Sequence, residues 1–135
     1  YTTLFRSMKI LLISESDLIY SQMKRIVDEN AKVSRLSFEE MEEKELLSCD
    51  IVIIEFDYMK ISNKKFKIIL DIKCKKNLPI LALLEGGSIS DQFEILAMGA
   101  LDFLEIPATD EMFSEKVHQL YKWKWYYDRE KKTIV

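Results

Sequence analysis

Short continuous apolar runs alternate along the chain with longer stretches whose apolar residues recur at helical spacing. Met8–Ser14, MKILLIS, is unbroken and rich in branched side chains, as expected of a strand covered on both faces. Asp17–Asn30 places Ile19, Met23, Ile26 and Val27 on one helical face, with Ser16 or Asp17 able to cap it. Ala31–Ser37 reads as a weaker second strand. Phe38–Ser48 reads as an acidic helix with Phe38, Met41, Leu46 and Leu47 on one side. Cys49–Phe56 is the third and clearest strand. Asn63–Asn77 predicts a helix with Phe66, Ile69, Leu70 and Ile72 set among lysines, and Leu78–Glu85 a fourth strand. Ser88–Ala100 predicts a helix that Gly99 can end, Leu101–Pro107 a fifth strand, and Thr109–Lys132 a long last helix capped by Thr109 or Asp110.

Five β–α units of this regularity predict an α/β fold with a parallel sheet and helices on both faces. Right-handed crossovers leave few topologies, of which strand order 2-1-3-4-5 is the common one at this size. A chain of 135 residues, 48% hydrophobic and 32% charged, suits a single domain. We expect that domain over 8–135, with 1–7 a leader or vector-derived remnant and Met8 a native start. No stretch approaches the ~20 apolar residues of a membrane span. The net charge of -3 gives no overall pull toward nucleic acid or membrane. Cys49 and Cys74 lack metal-binding spacing and read as reduced thiols of a cytoplasmic protein.

In such a sheet, ligands and chemistry gather at the carboxyl ends of the strands, beside the switch in strand order. Those ends are Ser14–Glu15, Glu55–Asp57, Leu84–Glu85 and Glu105–Ile106–Pro107. Three segments there, KILLISESD, CDIVIIEFD and MGALDFLEIPA, resemble in order and spacing the receiver domain of two-component response regulators. The resemblance runs from about Met8 to the end of the last helix and implies the flavodoxin-like receiver fold.

What the resemblance implies for chemistry can be followed position by position. The acidic pair that helps hold Mg²⁺ in the family matches Ser14 and Glu15, one carboxylate and one hydroxyl. The phosphoacceptor Asp matches Glu55. The hydroxyl residue that meets the phosphoryl oxygens matches Leu84, and the Lys that pairs with their charge matches Ile106. The aromatic switch position keeps its type in Phe103. Phosphoryl transfer depends on positioning and charge neutralisation, so these replacements predict a receiver that aspartyl phosphorylation does not switch. The extra methylene of Glu55 also displaces its carboxylate by roughly 1.5 Å.

Glu55 therefore reads either as a permanent negative charge where a phosphoryl group would sit or as a solvated rim residue, and Leu84 and Ile106 favour the second. Glu15, Glu55 and Asp57 are weak candidate Mg²⁺ ligands, with mutually repelling rim acids the preferred account. No metal and no cofactor is expected. Lys60, Lys64, Lys65, Lys67, Lys73, Lys75 and Lys76, and the acids Glu39, Glu40, Glu42, Glu43 and Glu45, read as solvated faces. His118 has no nucleophile at motif spacing.

The last helix carries Tyr121, Trp123, Trp125, Tyr126 and Tyr127, more rings than one face can bury, and exposed aromatics anchor interfaces. Receivers of the family associate through the fourth helix, fifth strand and last helix. A protein partner or homodimer is therefore expected there, led by Phe103, Tyr121, Trp123 and Trp125, unless these rings cover the sheet edge or a domain beyond Val135. The favoured function is a non-enzymatic signalling module, with nucleic acid reached only through an output domain. The alternative is a small α/β enzyme or nucleotide-binding protein using the strand ends, although SESDLIY contains neither phosphate-binding glycine motif.

Overall fold

The computed structural model describes residues 8–27, 29–41, 46, 48–57 and 63–134. Its strands are β1 (Lys9–Ile13), β2 (Lys32–Leu36), β3 (Ile51–Asp57), β4 (Ile80–Glu85) and β5 (Asp102–Glu105). They form one parallel sheet in the order β2-β1-β3-β4-β5, the topology the alternation predicts. The helices whose full extent lies among the described residues are α1 (Asp17–Ile26), α2 (Asn63–Lys75), α3 (Ile89–Ala97) and α4 (Asp110–Ile134).

Successive side chains of a strand point to opposite faces, and both faces of this sheet are covered. Leu11, Ile13, Val52 and Ile54 pack with Phe66, Ile69 and Ile72 of α2 and Ile95 of α3. Ile10, Leu12, Ile51 and Ile53 pack with Ile19 and Met23 of α1 and with Phe113, Val117 and Leu120 of α4. The unbroken apolar runs of β1, β3 and β4 follow from this two-sided burial.

Local chemistry sets the helix ends. Ser16 caps α1, its hydroxyl accepting from the Ile19 N–H at 3.3 Å. Thr109 caps α4 through the Met112 N–H, and Ser88 and Asp91 form a reciprocal capping box on α3. At the other end of α3, the Gly99 and Ala100 N–H groups donate to Leu96 and Ile95 carbonyls, a Schellman closure with Gly99 at φ 118°. A Cβ on Gly99 would lie 2.9 Å from Cγ of Lys73. The Lys73 side chain is thus laid across a glycine, and its ammonium donates to Asn77 Oδ1 and the Leu78 carbonyl.

Several boundaries differ from the sequence reading; α1, for one, ends at Ile26 and not at Asn30. Residues 38–40 form a turn, because Ser37 and Glu40 satisfy each other's backbone N–H groups at 3.1 Å. β3 begins at Ile51 and runs on through Asp57, with Glu55 inside the strand as the reading of Cys49–Phe56 has it. β5 stops at Glu105, leaving Ile106 and Pro107 in the bend that follows. The leader 1–7, Glu42, Glu43, Glu45, Leu47, Lys60 and Val135 lie outside the described residues, as do the side chains of Lys64 and Lys65.

Candidate functional site

The site is built on the neighbouring strands β1 and β3. Ile13 stands opposite Ile54, so the next residues along, Ser14 and Glu55, meet at the carboxyl pole of the sheet. The Ser14 hydroxyl donates to Glu55 Oε1 at 2.5 Å and accepts from the Ser16 N–H at 3.0 Å. Its backbone is held as firmly, with its N–H on the Leu36 carbonyl and its own carbonyl accepting from Arg35 Nε. Ser14 is buried, and every hydrogen-bonding group it has is engaged with the protein.

Burial raises the pKa of the Glu55 carboxyl, and the nearby charges of Glu85 and Asp57 add to the rise. The Ser14 hydrogen bond and the Arg35 guanidinium oppose it. Asp57 stands opposite Glu85 across β3 and β4, so acids face acids along this edge.

Arg35 was not singled out by sequence reasoning, yet it is the cation acting on Glu55. It projects from β2, donates to Asp17 at 2.7 Å and lies 5.4 Å from the centre of the Tyr20 ring. A lone Arg near the end of the second strand, beside the acidic turn of the first, is the available signal. Arg35, Ser14 and Glu15 line an open pocket of about 330 Å³ with Leu36, Ser37 and Glu40.

Leu84 and Ile106 stand on either side of the sheet. Leu84 is wholly buried in the layer of α2 and α3 with Phe56 and Phe66, and Phe103 packs against that layer half-buried. Ile106 donates its N–H to the Leu84 carbonyl at 2.8 Å, but its side chain belongs to the opposite layer with Ile19 and Phe113. Both are core residues, so the pole presents no hydroxyl or ammonium at these positions.

The divalent-cation site that the resemblance implies does not fit this arrangement. Among the described residues, no three His, Cys, Asp or Glu side chains converge as ligands. Glu15 is exposed, and the Ser14 oxygen already serves Glu55 and Ser16.

The aromatic residues of α4 fall elsewhere than expected. Tyr121 is 0% exposed and lies in the core with Phe113 and Val117, so it presents no contact surface. Trp123 stacks on Tyr127 at 4.9 Å, with the Lys73 ammonium 5.5 Å from its ring centre. Trp125 meets Tyr126 edge-on and shares a pocket with Met8, Asp128 and Arg129. Met8 precedes β1 and Lys73 lies in the last turn of α2, so both tryptophans sit at the amino pole of the sheet, away from Glu55. The physical reason is length. A helix of 25 residues spans about 37 Å, whereas strands of this size span about 13–23 Å, so α4 overruns the sheet.

The surface formed by α3, β5 and the first half of α4 carries a different apolar set. Ile89 and Phe93 are 70% and 69% exposed, Met112 52%, and Leu96 and Leu101 38% each. The signal was present in ISDQFEILA, which has more large apolar residues than one buried face requires.

His118 Nδ1 donates to the Ser114 carbonyl at 2.7 Å, and its ring meets Tyr121 edge-on, a structural placement. No helix among the described residues is long and apolar enough to cross a membrane.

No family model and no curated protein matches the chain. Solved structures do. A pilus assembly-related protein of Burkholderia pseudomallei is 16% identical, with a TM-score of 0.73 over 86% of this chain and 90% of its own. A response regulator of Thermotoga maritima is 15% identical, at 0.69 over 86% and 98%. A response regulator receiver domain protein of Clostridium thermocellum is 22% identical, at 0.68 over 87% and 96%. Together with the observed strand order, these likenesses establish a receiver-like, flavodoxin-type α/β fold for this chain.

Proposed function

We propose that the chain is an atypical response-regulator receiver domain that works in cytoplasmic signal transduction without aspartyl phosphorylation. In this reading it is a protein-interaction or dimerisation module, acting alone or as the front part of a transcription regulator. The observation that carries the reading is the Ser14–Glu55 hydrogen bond, together with a Leu84 and an Ile106 that are both buried in the core. A phosphoryl group at this pole would find a longer carboxylate already engaged, no hydroxyl from β4 and no ammonium after β5. Without those donors its charge loses two of its compensating groups, and the nearby cation, Arg35, already donates to the Ser14 carbonyl and to Asp17. The surface for partners is that of α3, β5 with Phe103, and α4, where large apolar side chains are exposed.

Incubation with acetyl phosphate and Mg²⁺, followed by intact-mass measurement, is expected to leave the mass unchanged. A stoichiometric phosphoryl increment mapped to Glu55 or Asp57 would overturn the reading.

A further inference from the structure

The exposed apolar residues of α3 form a stripe. Ile89, Phe93 and Leu96 follow one another at helical spacing, and on α4 the exposed Met112 lies one turn before Lys116, the residue that pairs with β5. The Gln92 amide donates to Glu105 at 2.8 Å and Lys116 pairs with Asp102 at 2.6 Å, so both helices are tied to β5, the edge strand. Such a patch on a rigid frame is a docking surface in want of an occupant.

The charges around it identify the kind of occupant. α3 contains no basic residue; its charged members are Asp91 and Glu94. Glu105 borders the stripe on β5 and receives a neutral amide. Lys116 is already neutralised by Asp102. A second copy placed face to face across this stripe would set carboxylates against carboxylates, which costs affinity. We infer that the α3–β5–α4 face binds a protein segment with large apolar side chains flanked by Lys or Arg, an amphipathic basic helix being the form that matches a stripe of this spacing. This rests on the interaction-module reading above and names its partner's chemistry.

The test uses two synthetic helical peptides, each about five turns long, one of leucines flanked by lysines and its twin with glutamates for the lysines. The Leu/Lys peptide is expected to bind in fluorescence anisotropy and to shift the amide signals of Ile89, Phe93, Leu96 and Met112. The Leu/Glu twin is expected to bind at least about tenfold more weakly. Phe93→Ser, at an exposed position, weakens the Leu/Lys complex by roughly tenfold or more, and the double variant Glu94→Lys/Glu105→Lys reverses the preference between the peptides. Equal binding of both peptides, shifts confined to other surfaces, or indifference to Phe93→Ser would overturn the inference. A dimer in sedimentation equilibrium that Phe93→Ser abolishes would also overturn it, since a second copy would then be the occupant, while leaving the interaction-module reading intact. If neither peptide binds and the protein is monomeric throughout, the interaction-module reading falls as well.

Discussion

Glu55 is a carboxylate on the inner side of the rim, and its titration should be measurable. Its folded pKa lies above the ordinary value of 4.5, first because of burial and then because of Glu85 and Asp57. Between 4.5 and that raised value the folded state holds more protons than the unfolded state, so stability falls as pH rises through the window. Below 4.5 both states are protonated and the difference vanishes. Glu55→Gln keeps an acceptor for the Ser14 hydroxyl and removes the charge, so its thermal midpoint is expected to exceed the wild type's at pH 7. The gain should vanish on titration below pH 4.5, and calorimetry across that range is the check. A second residue contrast concerns the thiols. Burial pushes Cys49 up to about 11, with Lys76 and Lys124 pulling the other way, and its Sγ donates to the Leu46 carbonyl. Cys74 is exposed. Iodoacetamide at pH 8 should therefore add one label, at Cys74, and reach Cys49 only in denaturant; labelling of native Cys49 by mass spectrometry would contradict this.

The last helix shows how far its sequence can be read. Its existence, start and capping residue were legible, since Thr109 and the apolar spacing of Phe113, Val117 and Leu120 carry them. The destination of its aromatic residues was not, because helical periodicity specifies a face of the helix and says nothing of how far the sheet beneath it extends. Tyr121 went inward, and the tryptophans passed the end of the sheet to meet Lys73 and Met8. Arg35 was hidden for a related reason: strand order puts β2 beside β1, but not where a long side chain on β2 reaches, here to the Ser14 carbonyl and toward Glu55. Where burial is two-sided, as in β1, β3 and β4, the residue pattern alone was sufficient. Trp123→Ala removes the stack on Tyr127 and the Lys73 contact. It should cost about 1–3 kcal/mol in urea unfolding without changing the mass seen in sedimentation equilibrium. A change in association state with unaltered stability would return Trp123 to the role of an interface anchor.

At the scale of the molecule, the two poles of the sheet have separate characters. The carboxyl pole collects acids around a hydrogen bond between β1 and β3, while the amino pole is closed by lysine stems and stacked rings. Strand order was legible because parallel β–α units at this length admit few arrangements. The character of each pole was not, since it depends on which loops and helix ends the fold brings side by side. The amino pole turns on Gly99, whose positive φ and missing side chain let the Lys73 stem pass. Gly99→Ala would impose an unfavourable backbone conformation worth about 1–3 kcal/mol and push Lys73 off its seat. A red-shifted tryptophan emission should accompany the lower urea midpoint, and a midpoint drop without it would mean that Lys73 stays in place. One added methyl group would thus loosen α2, the turn after α3 and the end of α4 together, making a hydrogen atom the keystone of that end of the protein.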